Sequence, residues 1–130
     1  MISVEDRLEI LDLCARYNYF TDTGEAQEVA RLFTPDGVFD GPPGRFEGFD
    51  AIVVFNENIY QALAGSMHFT DNHLFDKGDD FIRHRCYLAL HIPSEDGVKS
   101  TLMTYDDEVV EVEGEWKFRA RIVRAFEPKT

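Results

Sequence analysis

The chain has 130 residues, enough for one domain spanning residues 1–130 that buries roughly two thirds of the surface its unfolded form exposes. Asp and Glu number 25 against 13 Lys and Arg, and the resulting charge of −12 repels nucleic acid and anionic membrane surfaces, so neither is expected as a partner. No apolar run approaches the ~20 residues of a membrane span, and Met1 to Asp6 lead into an acidic helix start with no signal peptide, so the expected location is the cytoplasm.

Ser3 is a natural N-cap, with Glu5 and Asp6 in the first turn where negative charge suits the helix dipole. Leu8, Leu11, Ala15 and Tyr19, with Cys14 beside them, repeat at helical spacing, and Gly24 breaks the pattern after Thr21-Asp22-Thr23. A short second helix is predicted over Glu25 to Phe33, burying Ala26, Val29, Ala30 and Phe33. Thr34-Pro35-Asp36-Gly37 reads as a turn, Val38 to Asp40 as a short strand and Gly41-Pro42-Pro43-Gly44 as a loop. A third helix is predicted from Phe49 to Ala64, with Ile52, Phe55, Ile59 and Leu63 on one face. Four long strands follow: Ser66–Phe75, Phe81–Ile92, Val98–Val112 and Trp116–Phe126. Their short connections imply an antiparallel meander, and helices followed by strands imply an α+β domain with a curved sheet covered on one face. Cys14 and Cys86 have apolar neighbours and are expected as buried free thiols.

Asp22 and His68 stand out. Asp22 follows Tyr17, Tyr19 and Phe20, rings that would desolvate a carboxylate and leave it in need of a partner. The weaker alternative is that it caps the next helix. His68 shares a strand face with Ser66, Thr70 and Asn72, a set too polar for ordinary core packing and suited to a partly wet pocket. Met67, Phe69, Asp71 and His73 fall on the opposite face, which places His73 at the surface or an interface. A carboxylate orienting an imidazole makes a base that works near neutral pH. His91, before Pro93, is either a second pocket acid or an exposed strand-end residue. His84, between Arg83 and Arg85, lies on the face opposite His91 and belongs to a basic triplet that pairs with surface acids or binds an anionic group. Tyr105 shares a face with Met103 and Asp107, and Trp116 and Phe118 read as core. No metal site is expected, because strand parity separates His68 from His73 and no Cys-x-x-Cys occurs. Nucleophile and phosphate-loop motifs are likewise missing from the sequence.

Taken in order, Leu32-Phe33-Thr34-Pro35-Asp36-Gly37-Val38-Phe39, Glu47-Gly48-Phe49-Asp50-Ala51-Ile52, Met67-His68-Phe69-Thr70-Asp71-Asn72, Tyr105-Asp106-Asp107-Glu108 and Gly114-Glu115-Trp116-Lys117-Phe118 resemble the SnoaL-like branch of the nuclear transport factor 2-like, cystatin-like cone superfamily. The resemblance covers essentially the whole chain. It implies a cone-shaped roll, a curved and mainly antiparallel sheet wrapped around the N-terminal helices and enclosing a hydrophobic pocket. Within that superfamily the chain is similar to scytalone dehydratase and the lindane dehydrochlorinase, which implies a catalytic Asp–His dyad at Asp22 and His68 and a second histidine at His91. Gly41 and Thr21 stand near the positions of the dehydratase's water-binding tyrosines, and Tyr17 stands where the dehydrochlorinase has a lysine.

The expected function is a small lyase of the dehydratase type, with no cofactor, acting on a small hydrophobic and cyclic or aromatic substrate. Asp22, His68 and His91 are the catalytic candidates; Tyr17, Tyr19, Asn72 and Tyr105 are the candidates to line the pocket. Isomerase or polyketide cyclase chemistry in the same pocket is one alternative, and a non-catalytic binding or interaction subunit is another. A homodimer or homotrimer is expected, because the outer sheet face carries Phe and Met.

Overall fold

The computed structural model of the chain describes residues 1–128. Helix α1 (Val4–Thr23) starts at Ser3, whose hydroxyl accepts the Asp6 N–H at 3.0 Å, and ends at Gly24, whose φ of 78° is a left-handed cap. A Cβ at Gly24 would meet the Tyr60 ring at 2.9 Å, so close approach as well as backbone conformation demands glycine there. α1 carries two apolar stripes. The one turned into the core is Ile10, Leu13, Cys14 and Tyr17, not the expected Leu8, Leu11, Ala15 and Tyr19, of which Leu8 and Tyr19 are exposed. The chosen stripe brings Tyr17 edge-on against Tyr105 and Phe118, contacts the other stripe could not make.

Helix α2 (Ala26–Arg31) buries Ala26, Val29 and Ala30, as the sequence suggests, but ends two residues before Phe33. Phe33 instead opens strand β1 (Phe33–Gly41), which absorbs the expected Thr34–Gly37 turn as an irregularity and pairs in parallel with the last strand. The Gly41–Gly44 segment is a hairpin tip, not a free loop: Gly41 pairs with Gly44, Pro42 and Pro43 make the turn, and β2 (Gly44–Glu47) returns along β1. Both prolines sit where no ladder donor is needed. Helix α3 (Phe49–Leu63) buries Ile52 and Phe55, and the Phe55 ring stacks on Phe39 and Phe46.

The meander then follows as expected: β3 (Met67–Lys77), β4 (Ile82–Ser94), β5 (Gly97–Val112) and β6 (Glu115–Ala125). The six-stranded sheet has the order β2-β1-β6-β5-β4-β3, antiparallel at every junction except β1 with β6. The three helices cover its inner face. Val29, Ile52, Val109 and Phe118 are fully buried there, around Tyr17, Phe33 and Tyr105. Cys14 and Cys86 are free and buried.

One irregularity matters for everything below. Asn72 in β3 has φ of 57°, and the β3–β4 register shifts between Asp71 and Leu74. Such a bulge reverses side-chain parity. His73 and Phe75 therefore turn to the inner side with His68 and Thr70, which corrects the expectation that His73 faces away from His68.

Candidate active site

Asp22 lies in the last turn of α1, and His68 lies near the start of β3, where it pairs with Leu90. The carboxylate receives two donors from one residue. The His68 backbone N–H lies 3.0 Å from Asp22 Oδ2 and 3.2 Å from Oδ1, and ring Nδ1 is 2.6 Å from Oδ1. Both side chains are mostly buried, 12% exposed for His68 and 17% for Asp22. Asp22 does not cap the second helix, whose N-cap is Glu25 with no side-chain hydrogen bond. A carboxylate on Nδ1 fixes the tautomer that leaves Nε2 as a lone pair. Among the described residues Nε2 has no hydrogen-bond partner.

Open space borders this pair on two sides. A small, partly enclosed cavity of about 30 Å³ lies between Thr21, Asp22, Ile59, Tyr60, Ser66 and His68. A groove of about 360 Å³ runs between α1 and β3, with Asn18, Asp22, His68, Thr70 and His73 as its polar lining and Leu11, Tyr19, Met67 and Phe69 among its apolar walls. Asn18 Nδ2 donates to Thr70 Oγ1 at 3.1 Å across its floor. The groove is within the size range of small-molecule sites. The hydrophobic pocket beside the dyad thus lies at the rim of the cone, while the interior between helices and sheet is filled by Tyr17, Tyr105, Phe118 and Arg121.

The other candidates divide. Tyr19, 73% exposed, lines the groove. Tyr17 and Tyr105 are buried and pack against each other and Arg121, with burial the main cause that raises both hydroxyl pKa values; they stand behind the dyad, not in its groove. Asn72 is exposed on the bulge and is not among the residues that line the groove. His91 is corrected: it pairs with Met67 on the outer sheet face, bonds Ser100 Oγ at 2.8 Å and meets the Phe69 ring, so it cannot act with His68.

A second constellation was not legible as such. His84, Asp107 and Arg121 are all fully buried. His84 Nδ1 is 2.8 Å from Asp107 Oδ2, Arg121 Nε is 3.2 Å from Asp107 Oδ1, and His84 Nε2 is 2.8 Å from His73 Nδ1. The Arg121 guanidinium lies over the Tyr105 ring at 3.5 Å and against the rings of Tyr17 and Phe118. Burial alone would lower its pKa; the Asp107 carboxylate outweighs that and holds it above the usual value. The signal was present in the alternation Ile82-His84-Cys86-Leu88-Leu90, which places His84 on an apolar inner face, whereas the flanking Arg83 and Arg85 pair outside with Asp106 and Asp76. His73, His84 and Cys86 also have ligand atoms within 4.8 Å of one another, a grouping that the parity of His68 and His73 does not address. The Cys86 thiol, pushed up to about 12 mainly by burial, is protonated at neutral pH.

The family model for the SnoaL-like domain matches residues 3–122. No curated protein matches the sequence. Among solved structures, an NTF2-like protein with a cystatin-like fold from Novosphingobium aromaticivorans superposes with a TM-score of 0.88 at 22% identity, over 97% of this chain and 85% of that one. A protein from the same organism, provisionally named scytalone dehydratase, gives 0.84 at 25% identity over 95% and 86% of the two chains. An Asp-to-Asn variant of Rv3472, a protein of unknown function from Mycobacterium tuberculosis, gives 0.88 at 23% identity over 95% of this chain and 73% of that one.

Proposed function

Because the chain belongs to the SnoaL-like domain family, which includes polyketide cyclases and dehydratases, we propose that it is a lyase of the dehydratase type whose base is His68, oriented by Asp22. The single observation that carries this reading is the 2.6 Å contact from His68 Nδ1 to Asp22 Oδ1 beside an open, partly apolar groove. The substrate is a small hydrophobic molecule, cyclic or aromatic, bearing a hydroxyl β to an electron-withdrawing group. Nε2 removes the proton from the carbon next to that group. The C–H electron pair becomes a C=C bond as the C–O bond breaks, and the imidazolium returns its proton to the departing oxygen on the same face, releasing water. Asp22 holds the tautomer and balances the charge of the transient imidazolium. Every proton is carried by the imidazole, so the step calls for no cofactor. A cytoplasmic location is part of the proposal; separately, no helix among the described residues is long and apolar enough to cross a membrane.

The packed interior favours a second reading, a non-catalytic binding or interaction subunit. Ring opening of 5-nitrobenzisoxazole separates the two, since it needs only a positioned base and releases a coloured phenolate. The lyase reading expects catalysis that falls about 10²–10⁴-fold in His68→Ala. A wild-type rate equal to that of His68→Ala would support the subunit instead.

A further inference from the structure

The His73–His84–Asp107–Arg121 line runs from the groove into the fully buried core, and the dyad makes no use of it. Its hydrogen bonds have a fixed direction. Asp107, set against Arg121, can only accept as a carboxylate, so His84 donates from Nδ1 and, as a neutral imidazole, has Nε2 left as an acceptor. The His73 and His84 rings lie within 19° of parallel with centroids 5.1 Å apart and nitrogens at 2.8 Å, nose to nose and not face to face. That alignment suits one N–H···N hydrogen bond, whereas two ligands of one ion would converge at an angle. His73 must therefore donate from Nδ1, which leaves its Nε2 as a lone pair on a residue that lines the same groove as His68.

We propose that His73 Nε2 is a hydroxyl-accepting subsite of this groove, held in its acceptor tautomer by His84, Asp107 and Arg121, so that the ligand carries a phenol or enol O–H. The proposal rests on the reading of the groove as the substrate site and adds the chemical group the substrate must present. His73 touches the ligand; His84, Asp107 and Arg121 are positioning residues. The electrostatic setting agrees with an uncharged acceptor. Burial first, then the neighbouring His84 and Arg121, hold the His73 pKa below 6.5, against the opposing pull of the Thr70 carbonyl and Asp71. The other titratable groups against the line are Cys14 on α1, whose sulfur lies 3.8 Å from His84 Nδ1, Cys86 on β4, within 4.8 Å of both imidazoles, and Tyr17 and Tyr105, whose rings meet the Arg121 guanidinium.

Two measurements on the full-length protein test this. The first is the His73 tautomer at neutral pH, from long-range ¹H–¹⁵N NMR correlations. The subsite requires protonated Nδ1 and bare Nε2; a protonated Nε2, as when the ring donates to Thr70 instead, would overturn it. The second compares 4-nitrophenol with 4-nitroanisole, which lacks the O–H. The wild type is expected to bind the phenol about 10-fold more tightly, the upper part of what one hydrogen bond gives. His73→Ala, at a partly buried position, should erase that preference, so that the two probes bind the variant equally. Equal affinities in the wild type, or binding of neither probe, overturn the subsite. The base reading is judged separately by the 5-nitrobenzisoxazole rate, so the two failures are distinguishable.

Discussion

Single residues decide what this site can do. The contact between Asp22 and His68 is legible in the sequence because each is a polar group in an apolar context, a pattern that demands a partner. Sequence reading fails for His91 because choosing a face needs the strand register: His68 pairs with Leu90, which leaves His91 on the far side with Met67. It fails for His84 because two flanking arginines disguise a buried position as a basic surface triplet. His73 makes a stability prediction. Its folded pKa lies below 6.5, so the unfolded chain binds the proton first as pH falls. Stability is thus independent of this group above about pH 6.5 and declines on acidification through that value towards the folded pKa. Asp80 and Asp106, held low by Arg119 and Arg83, act in a separate window below 3.8. Thermal midpoints measured as pH falls from 6.5, above the carboxylate window, should fall less steeply in His73→Gln than in the wild type, and equal slopes would contradict the lowered His73 pKa.

At the scale of elements, periodicity recovers the three helices and the four long strands to within a few residues, since their breaks carry Gly, Pro and Asp. What it misses has a physical pattern. α1 offers two apolar stripes, and only the sheet selects between them. β1 and β2 are interrupted by Pro and Gly, which read locally as turns and become strands through pairing with β6 and with each other. The β3 bulge is invisible to a strict alternation of two, yet it is what brings His73 to His84. Asparagine suits this position because it tolerates left-handed backbone better than other side chains with a Cβ. Asn72→Gly should accordingly be near neutral. Asn72→Val should lower unfolding free energy by about 1–2 kcal/mol through the unfavourable φ. Chemical denaturation of the two variants checks this; matching stabilities would mean that the bulge does not depend on residue 72.

At the scale of the whole molecule, the helices cover one face of the sheet and leave the other bare. Met67, Phe69, Tyr87, Leu102 and Phe126 are each about half exposed or more on or beside that face. An apolar surface of this kind on an acidic, otherwise well-solvated chain is a natural self-association site, and the proposal includes a homodimer or homotrimer closed over it. Light scattering on the purified protein should give two or three times the 15.0 kDa chain mass, reduced towards one chain in Phe69→Asp. A wild-type monomer would remove oligomerisation from the proposal without touching the dyad.

The dyad itself is tested most directly by the rate of 5-nitrobenzisoxazole opening in Asp22→Asn, read beside its thermal midpoint. Asparagine keeps the shape but removes the charge that holds the His68 tautomer and steadies its imidazolium. The catalytic reading requires a variant that stays folded and loses at least about 10²-fold in rate. A folded Asp22→Asn protein that turns over the probe at the wild-type rate would contradict it.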